Sequence, residues 1–213
     1  MPRVFLILAA VLAGCAPAPR APLTSLDGLA RDELVLVGKV ELLPALRKGE
    51  QKIAGNVIGN FENRIYLLMD ERLRPLPEEP RIADYAGRIE APIGSTFFVR
   101  SAAAPSYVLG GILFLEMTGS STQRVYLPGG FQVAARPGDR ALYVGTLRYQ
   151  RDEFFEITRV TVVDDYPAAK AEFASRFGNG VMLRKGLLTR PKEQATENRA
   201  LTPIFSDGRG RRW

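Results

Sequence analysis

Between residues 34 and 163 the apolar positions fall in short runs rich in Val, Ile, Leu, Phe and Tyr, broken by clusters of Gly, Pro, Asn and Asp. That is the pattern of strands and turns. Candidate strands cover 34–43, 64–69, 96–100, 112–117, 124–127, 131–135, 141–149 and 153–163. Pro128-Gly129-Gly130, Pro137-Gly138-Asp139 and Gln150-Arg151-Asp152 supply residues suited to tight reversals. Seven or eight short strands with no helix alternating between them predict a mainly β fold, an antiparallel β-sandwich or barrel, with the sandwich preferred. One C-terminal helix follows. Asp164 or Asp165 can cap it, Pro167 sits where a missing N–H costs little, and Arg176 with Gly178 marks its end. Tyr166, Ala169, Phe173 and Phe177 then form one apolar stripe. Residues 73–92, with prolines at 75, 77, 80 and 92, are expected to be a surface connection with a short helical piece around 82–87. The domain is expected to span 31–178, followed at 179–213 by a basic, largely disordered tail.

The first residues have a different logic. A basic start at Arg3, an apolar run at 4–12 and the small residues Ala13 and Gly14 are the three parts of a secretory signal covering 1–14. The run is too short to span a bilayer, which takes about 20 apolar residues. Leu12-Ala13-Gly14-Cys15, at the end of that run and holding the chain's one cysteine, resembles the lipobox of bacterial lipoproteins. The resemblance implies cleavage before Cys15 and acylation of that residue. Three acyl chains, at about 0.8 kcal/mol per buried methylene, exceed what stable anchoring needs. Ala16 stands where the family's inner-membrane retention signal has aspartate, which implies the outer membrane, facing the periplasm. Residues 15–30 carry prolines at 17, 19 and 22 and read as an extended tether, reaching up to roughly 45 Å at about 3.1 Å per residue.

Composition narrows the chemistry. The chain has no histidine, and its one cysteine is assigned to lipid. This excludes an intrachain disulfide, a His/Cys zinc site, a Ser-His-Asp triad and a thiolate nucleophile. No serine has a lysine three residues on, and Gly-x-Ser-x-Gly is missing. Paired carboxylates are the catalytic option left. Asp32-Glu33, Asp70-Glu71, Glu78-Glu79, Asp152-Glu153 and Asp164-Asp165 are neighbours in sequence, but neighbours on a strand point to opposite faces. They are expected in solvated turns and at the helix cap. The pairs Gly110-Gly111 and Gly129-Gly130 lack the context of a phosphate loop and are expected at bends or bulges. No cofactor or metal site is indicated.

Charge is unevenly placed. Of a net +6, residues 178–213 hold +5, from Arg184, Lys185, Arg190, Lys192, Arg199, Arg209, Arg211 and Arg212 against three acids. Such a tail suits acidic lipid headgroups or an anionic polysaccharide, and Trp213 beside cations suits a membrane interface. Nucleic acid is not an expected partner for an envelope protein.

The run Val125-Tyr126-Leu127-Pro128-Gly129-Gly130-Phe131-Gln132-Val133, followed by Ala141-Leu142-Tyr143-Val144-Gly145, is similar to bacterial lipoproteins with an immunoglobulin-like or transthyretin-like sandwich. It covers about a quarter of the chain and implies no active site. The expected function is that of a lipid-anchored, non-catalytic protein that binds or scaffolds another envelope component. Alternatives are a small-ligand or lipid-binding barrel and a carboxylate-based glycan hydrolase.

Overall fold

The computed structural model describes residues 23–47, 64–85, 87–117 and 121–191. They form nine strands in two sheets, with one helix near the C-terminal end. The first sheet contains β1 (Glu33–Leu43), β4 (Thr96–Ala102), β7 (Ala141–Arg151), β8 (Ile157–Val163) and the two-residue β9 (Arg184–Lys185), in the order β4-β1-β7-β8 with β9 also on β7. The second contains β2 (Arg64–Asp70), β3 (Gly87–Pro92), β5 (Ser106–Met117) and β6 (Ser121–Val133), in the order β3-β2-β5-β6.

The first sheet is mixed, where the sequence pattern led us to expect antiparallel pairing throughout. β1 runs parallel to β7, and so does β9. Parallel neighbours are buried on both faces, and both central strands show it. Residues 34–37 of β1 and 141–147 of β7 are buried without alternation. One face carries Leu34, Leu36, Val40, Leu142 and Val144 into a cluster shared with Ile65, Leu67, Leu113 and Leu127 of the second sheet. The opposite face carries Val35, Val37, Phe98 and Tyr143 under the helix α1, Tyr166–Phe177.

The helix stripe lies as expected: Ala169 and Phe173 are buried, and Tyr166 and Phe177 pack at the margin. Its start differs in detail. The Tyr166 N–H donates to Asp164 Oδ1 at 3.1 Å, while Asp165, at the N-cap position, accepts from Thr146 Oγ1 at 3.0 Å.

Two segments expected outside the domain also cover this face. Leu23, Leu26 and Leu29 pack against the helix-side cluster, and Arg140 donates to the carbonyls of Leu29 and Ala30. Past the helix, Leu183 is buried in the helix-side cluster and Leu188 in the cluster between the sheets, and Gln132 of β6 and Thr189 exchange both backbone hydrogen bonds. The packed chain thus runs from 23 to 190, past both expected boundaries.

Other expectations are corrected locally. Pro128-Gly129-Gly130 lies inside β6, so the expected strands at 124–127 and 131–135 are one strand with a bulge. The proline-rich 73–92 contains a 3-10 helix, Ile82–Asp84, and then β3, an edge strand that the prolines concealed. Its preceding portion does form a cover: Leu73, Leu76 and Ile82 pack on Leu68 and Ile112 at the outer face of the second sheet.

Arg184 fastens the post-helix segment. It grips Asp139 through Nε at 2.7 Å and Nη2 at 2.5 Å, and donates to Ala134 O at 2.6 Å. The guanidinium holds the Asp139 carboxyl below the usual carboxylate range. A carboxylate lowered in the folded state stabilises it above the unfolded pKa of about 3.9, and that contribution fades as pH falls through the folded value. Asp139→Asn is therefore expected to lower the melting temperature at pH 7, with the gap to the parent narrowing toward about pH 2. A gap constant with pH would show that the pair adds nothing through its charge.

Candidate functional site

A cleft of about 1290 Å³ lies where the two sheets part, walled by β3 on one side and β4 on the other. Each strand stands at the end of its sheet's order, and residues 93–95 join them. Every residue of β4 from Thr96 to Ala102 lines the cleft. Successive side chains on a strand point to opposite faces, so a wall made of consecutive residues is the strand's edge.

The hydrogen-bond parity agrees. Ala103 donates its N–H to Asp32 O at 2.7 Å, in the register that pairs Glu33 with Ala102, and Val35 donates to Arg140 O at 3.0 Å. Even-numbered residues of β1 therefore bond toward β4 and odd-numbered ones toward β7. On β4 it follows that Phe97, Val99 and Ser101 spend their backbone groups on β1, whereas Thr96, Phe98, Arg100 and Ala102 aim theirs into the cleft. Among the described residues β1 is the only strand paired with β4.

The floor is apolar, made by Leu36, Met69, Ile89 and Phe97. The rim is charged and mutually paired. Arg88 Nε meets Glu90 Oε1 at 3.1 Å with both side chains nearly buried, Arg64 approaches Glu90 at 3.7 Å, and Arg100 approaches Glu33 at 3.5 Å. At one end the N-terminal segment closes the cleft: Leu23, Thr24, Ser25 and Gly28 line it, and Arg176 Nε holds Leu23 O at 3.1 Å.

The expected site residues fare variously. Cys15 lies outside the described residues, as do Lys192, Arg199, Arg209, Arg211, Arg212 and Trp213 of the tail. Arg184 and Lys185 are bound to Asp139 and Asp164, and Arg190 sits 4.9 Å above the Phe131 ring. Of the carboxylate pairs, Asp70 is tied to the Arg72 N–H and to Arg74, and Asp152 to the N–H groups of Phe154 and Glu156. Backbone donation from Arg72, then Arg74, holds Asp70 below its ordinary value. Glu41, Asp139 and Asp164 are likewise lowered by basic neighbours, led by Lys39, Arg184 and Lys185. A glycosidase general acid needs the opposite shift.

The glycine pairs meet across the β5–β6 ladder, where β-carbons on Gly110 or Gly129 would strike opposing backbone. That matches the expected bulge. Among the described residues no group of three or more metal-ligating side chains is present, and no helix is long and apolar enough to cross a membrane. Sequence reasoning missed the cleft because its walls are strand edges, and one of those strands, β3, lies in the stretch expected to be a surface connection with a short helical piece. No protein-family model, curated protein or solved structure matches this chain.

Proposed function

We propose that this chain is a lipid-anchored, non-catalytic protein of the outer membrane that binds another envelope component in the cleft between β3 and β4, on two sheets packed as a sandwich. The observation that carries the reading is the cleft: an apolar floor under a rim of matched charges is a binding surface, and its shifted carboxylate is ion-paired rather than poised for proton transfer. The sandwich reading is supported by the single apolar cluster drawn from both sheets. The packing of Leu23 also shortens the proposed tether. From Cys15 to Leu23 eight residues span at most about 28 Å, so the cleft end bearing Leu23 stands close to the bilayer. A basic tail at 192–213 would add attraction to acidic headgroups.

A second reading, a small apolar ligand, is favoured by the apolar floor of Leu36, Met69, Ile89 and Phe97. One experiment separates them. A photo-crosslinking residue at Arg100, in the cleft, is compared in intact cells with one at Lys170, on the exposed side of α1. A discrete protein or glycan adduct from position 100 alone is expected. Cys15→Ser should leave the precursor uncleaved and remove the adduct, because an alcohol does not replace the thiolate that receives the lipid. Adducts from position 170 instead, or normal cleavage and attachment of the serine variant by mass spectrometry, would overturn the reading. An adduct with lipid alone would favour the second one.

A further inference from the structure

The outward parity of β4 specifies what kind of partner fits the cleft. We infer that it takes an extended segment of another polypeptide, which adds to the β4 edge as a further strand, bonding to the backbone of Thr96, Phe98, Arg100 and Ala102. This rests on the cleft being the binding site, and it names the chemistry of the occupant.

Four observations converge. β4 is seven residues long with no proline and no bulge in its register with β1, so it offers four consecutive sets of outward N–H and C=O groups at regular spacing. A sheet edge of that kind is a template for strand addition, and proteins usually blunt it. Inside the edge, Phe97 and Val99 border the apolar cluster that also contains Ile89. Outside it, Phe98 packs on Phe177 at 5.4 Å, and Arg100 lies with Glu33. An added strand would thus point every second side chain at the apolar cluster and the others at a mixed surface, where Phe98 and Phe177 adjoin Arg176 and the Arg100–Glu33 pair. That selects apolar residues at every second position and tolerates polar ones between.

The second wall decides between a loose segment and a second copy of this chain. β3 faces the same cleft with Arg88 and Ile89, so the edge of a second copy would have to enter between two walls together with the rest of its sheet, whereas a single extended segment enters alone.

The test uses the full-length lipidated chain in detergent micelles. The probe is a capped seven-residue peptide of alternating threonine and valine with a lysine tail, and its control has the same composition with proline at the centre. On addition of the probe, amide exchange at Thr96, Phe98, Arg100 and Ala102 should slow at least tenfold. Phe97, Val99 and Ser101, already bonded to β1, should not change. Arg100→Pro removes one outward donor while leaving the β1 ladder, a substitution edge strands tolerate, and should weaken probe binding at least tenfold; Arg100→Ala should change it less than twofold. Where Arg100→Pro does not fold, the alternating protection pattern decides alone. No binding at about 1 mM probe, a Kd weaker than roughly −4 kcal/mol of affinity, would overturn the inference, as would protection without alternation or equal binding of the proline control. So would a dimer that Arg100→Pro dissociates, which would assign the edge to a second copy. An envelope adduct from position 100 without probe binding removes this inference and keeps the proposed function. Probe binding without any envelope adduct does the reverse.

Discussion

Truncation after Phe177 is expected to lower the melting temperature by roughly 10–20 °C or to prevent folding, whereas truncation after Pro191 should leave it within about 2 °C of the parent. The short form loses Leu183 and Leu188, both buried. At about 1.5–3 kcal/mol for each buried leucine, the loss is about 3–6 kcal/mol, and in a domain of this size each kcal/mol moves the midpoint by about 2–4 °C. It also leaves Asp139 without Arg184, and Gln132 without Thr189. Calorimetry on both forms checks this. Equal melting of the two would show that 181–190 rests on the domain without stabilising it. The comparison also divides the basic charge. Residues 192–213 hold five basic and three acidic groups, so their removal should cost only about 2 kcal/mol of binding to acidic vesicles, at about 1 kcal/mol per net charge.

The packing of 181–190 on the domain explains why the β-rich character was legible in the sequence while the domain boundary was not. Apolar runs such as Leu34-Val35-Leu36-Val37 identify strands, but they do not alternate, and a strand buried on both faces needs covering layers on both. The helix stripe supplies part of the second layer. Leu183, with Val181 and Leu187, adds to it, and Leu188 joins the cluster between the sheets, all from a stretch whose glycines and basic residues resemble a tail. The covering role of Leu23, Leu26 and Leu29 was hidden by the prolines before them. β3 had a local signal in the alternation Arg88-Ile89-Glu90-Ala91, masked by prolines at 75, 77, 80 and 92. The parallel pairing of β1 with β7 joins residues about a hundred positions apart, and no local pattern reports it. The cleft was the least legible feature. Its walls are the edge strands β3 and β4, and the backbone groups of an edge are the same whatever the side chain.

Gly129→Ala is expected to destabilise the domain by about 3 kcal/mol or more, the upper end for overpacking a filled site. The register between β5 and β6 shifts so that Val108 faces Phe131 while Gly110 faces Pro128. Gly129 and Gly130 therefore both oppose Leu109, the geometry of a β-bulge. A β-carbon on Gly129 would lie 2.4 Å from both Gly110 N and Leu109 C, which are backbone atoms and cannot rotate aside. Relief requires β6 to move away from β5, and that movement has a second cost. Pro128 O, one residue earlier, accepts the hydroxyl of Tyr149 at 3.1 Å, and Tyr149 is fully buried. Losing that acceptor would strand a buried hydroxyl, at about 1–3 kcal/mol. The two effects should therefore be coupled: Tyr149→Phe should cost clearly less in the Gly129→Ala background than in the parent, giving a nonzero term in a double-mutant cycle. Gly138→Ala is the control. It has φ +90° but no atom within 4 Å of an added β-carbon, so backbone strain alone applies, about 1–2 kcal/mol. If denaturant unfolding gives Gly129→Ala a cost no greater than Gly138→Ala, the bulge is plastic. Close approach of the two strands is then not what requires glycine there.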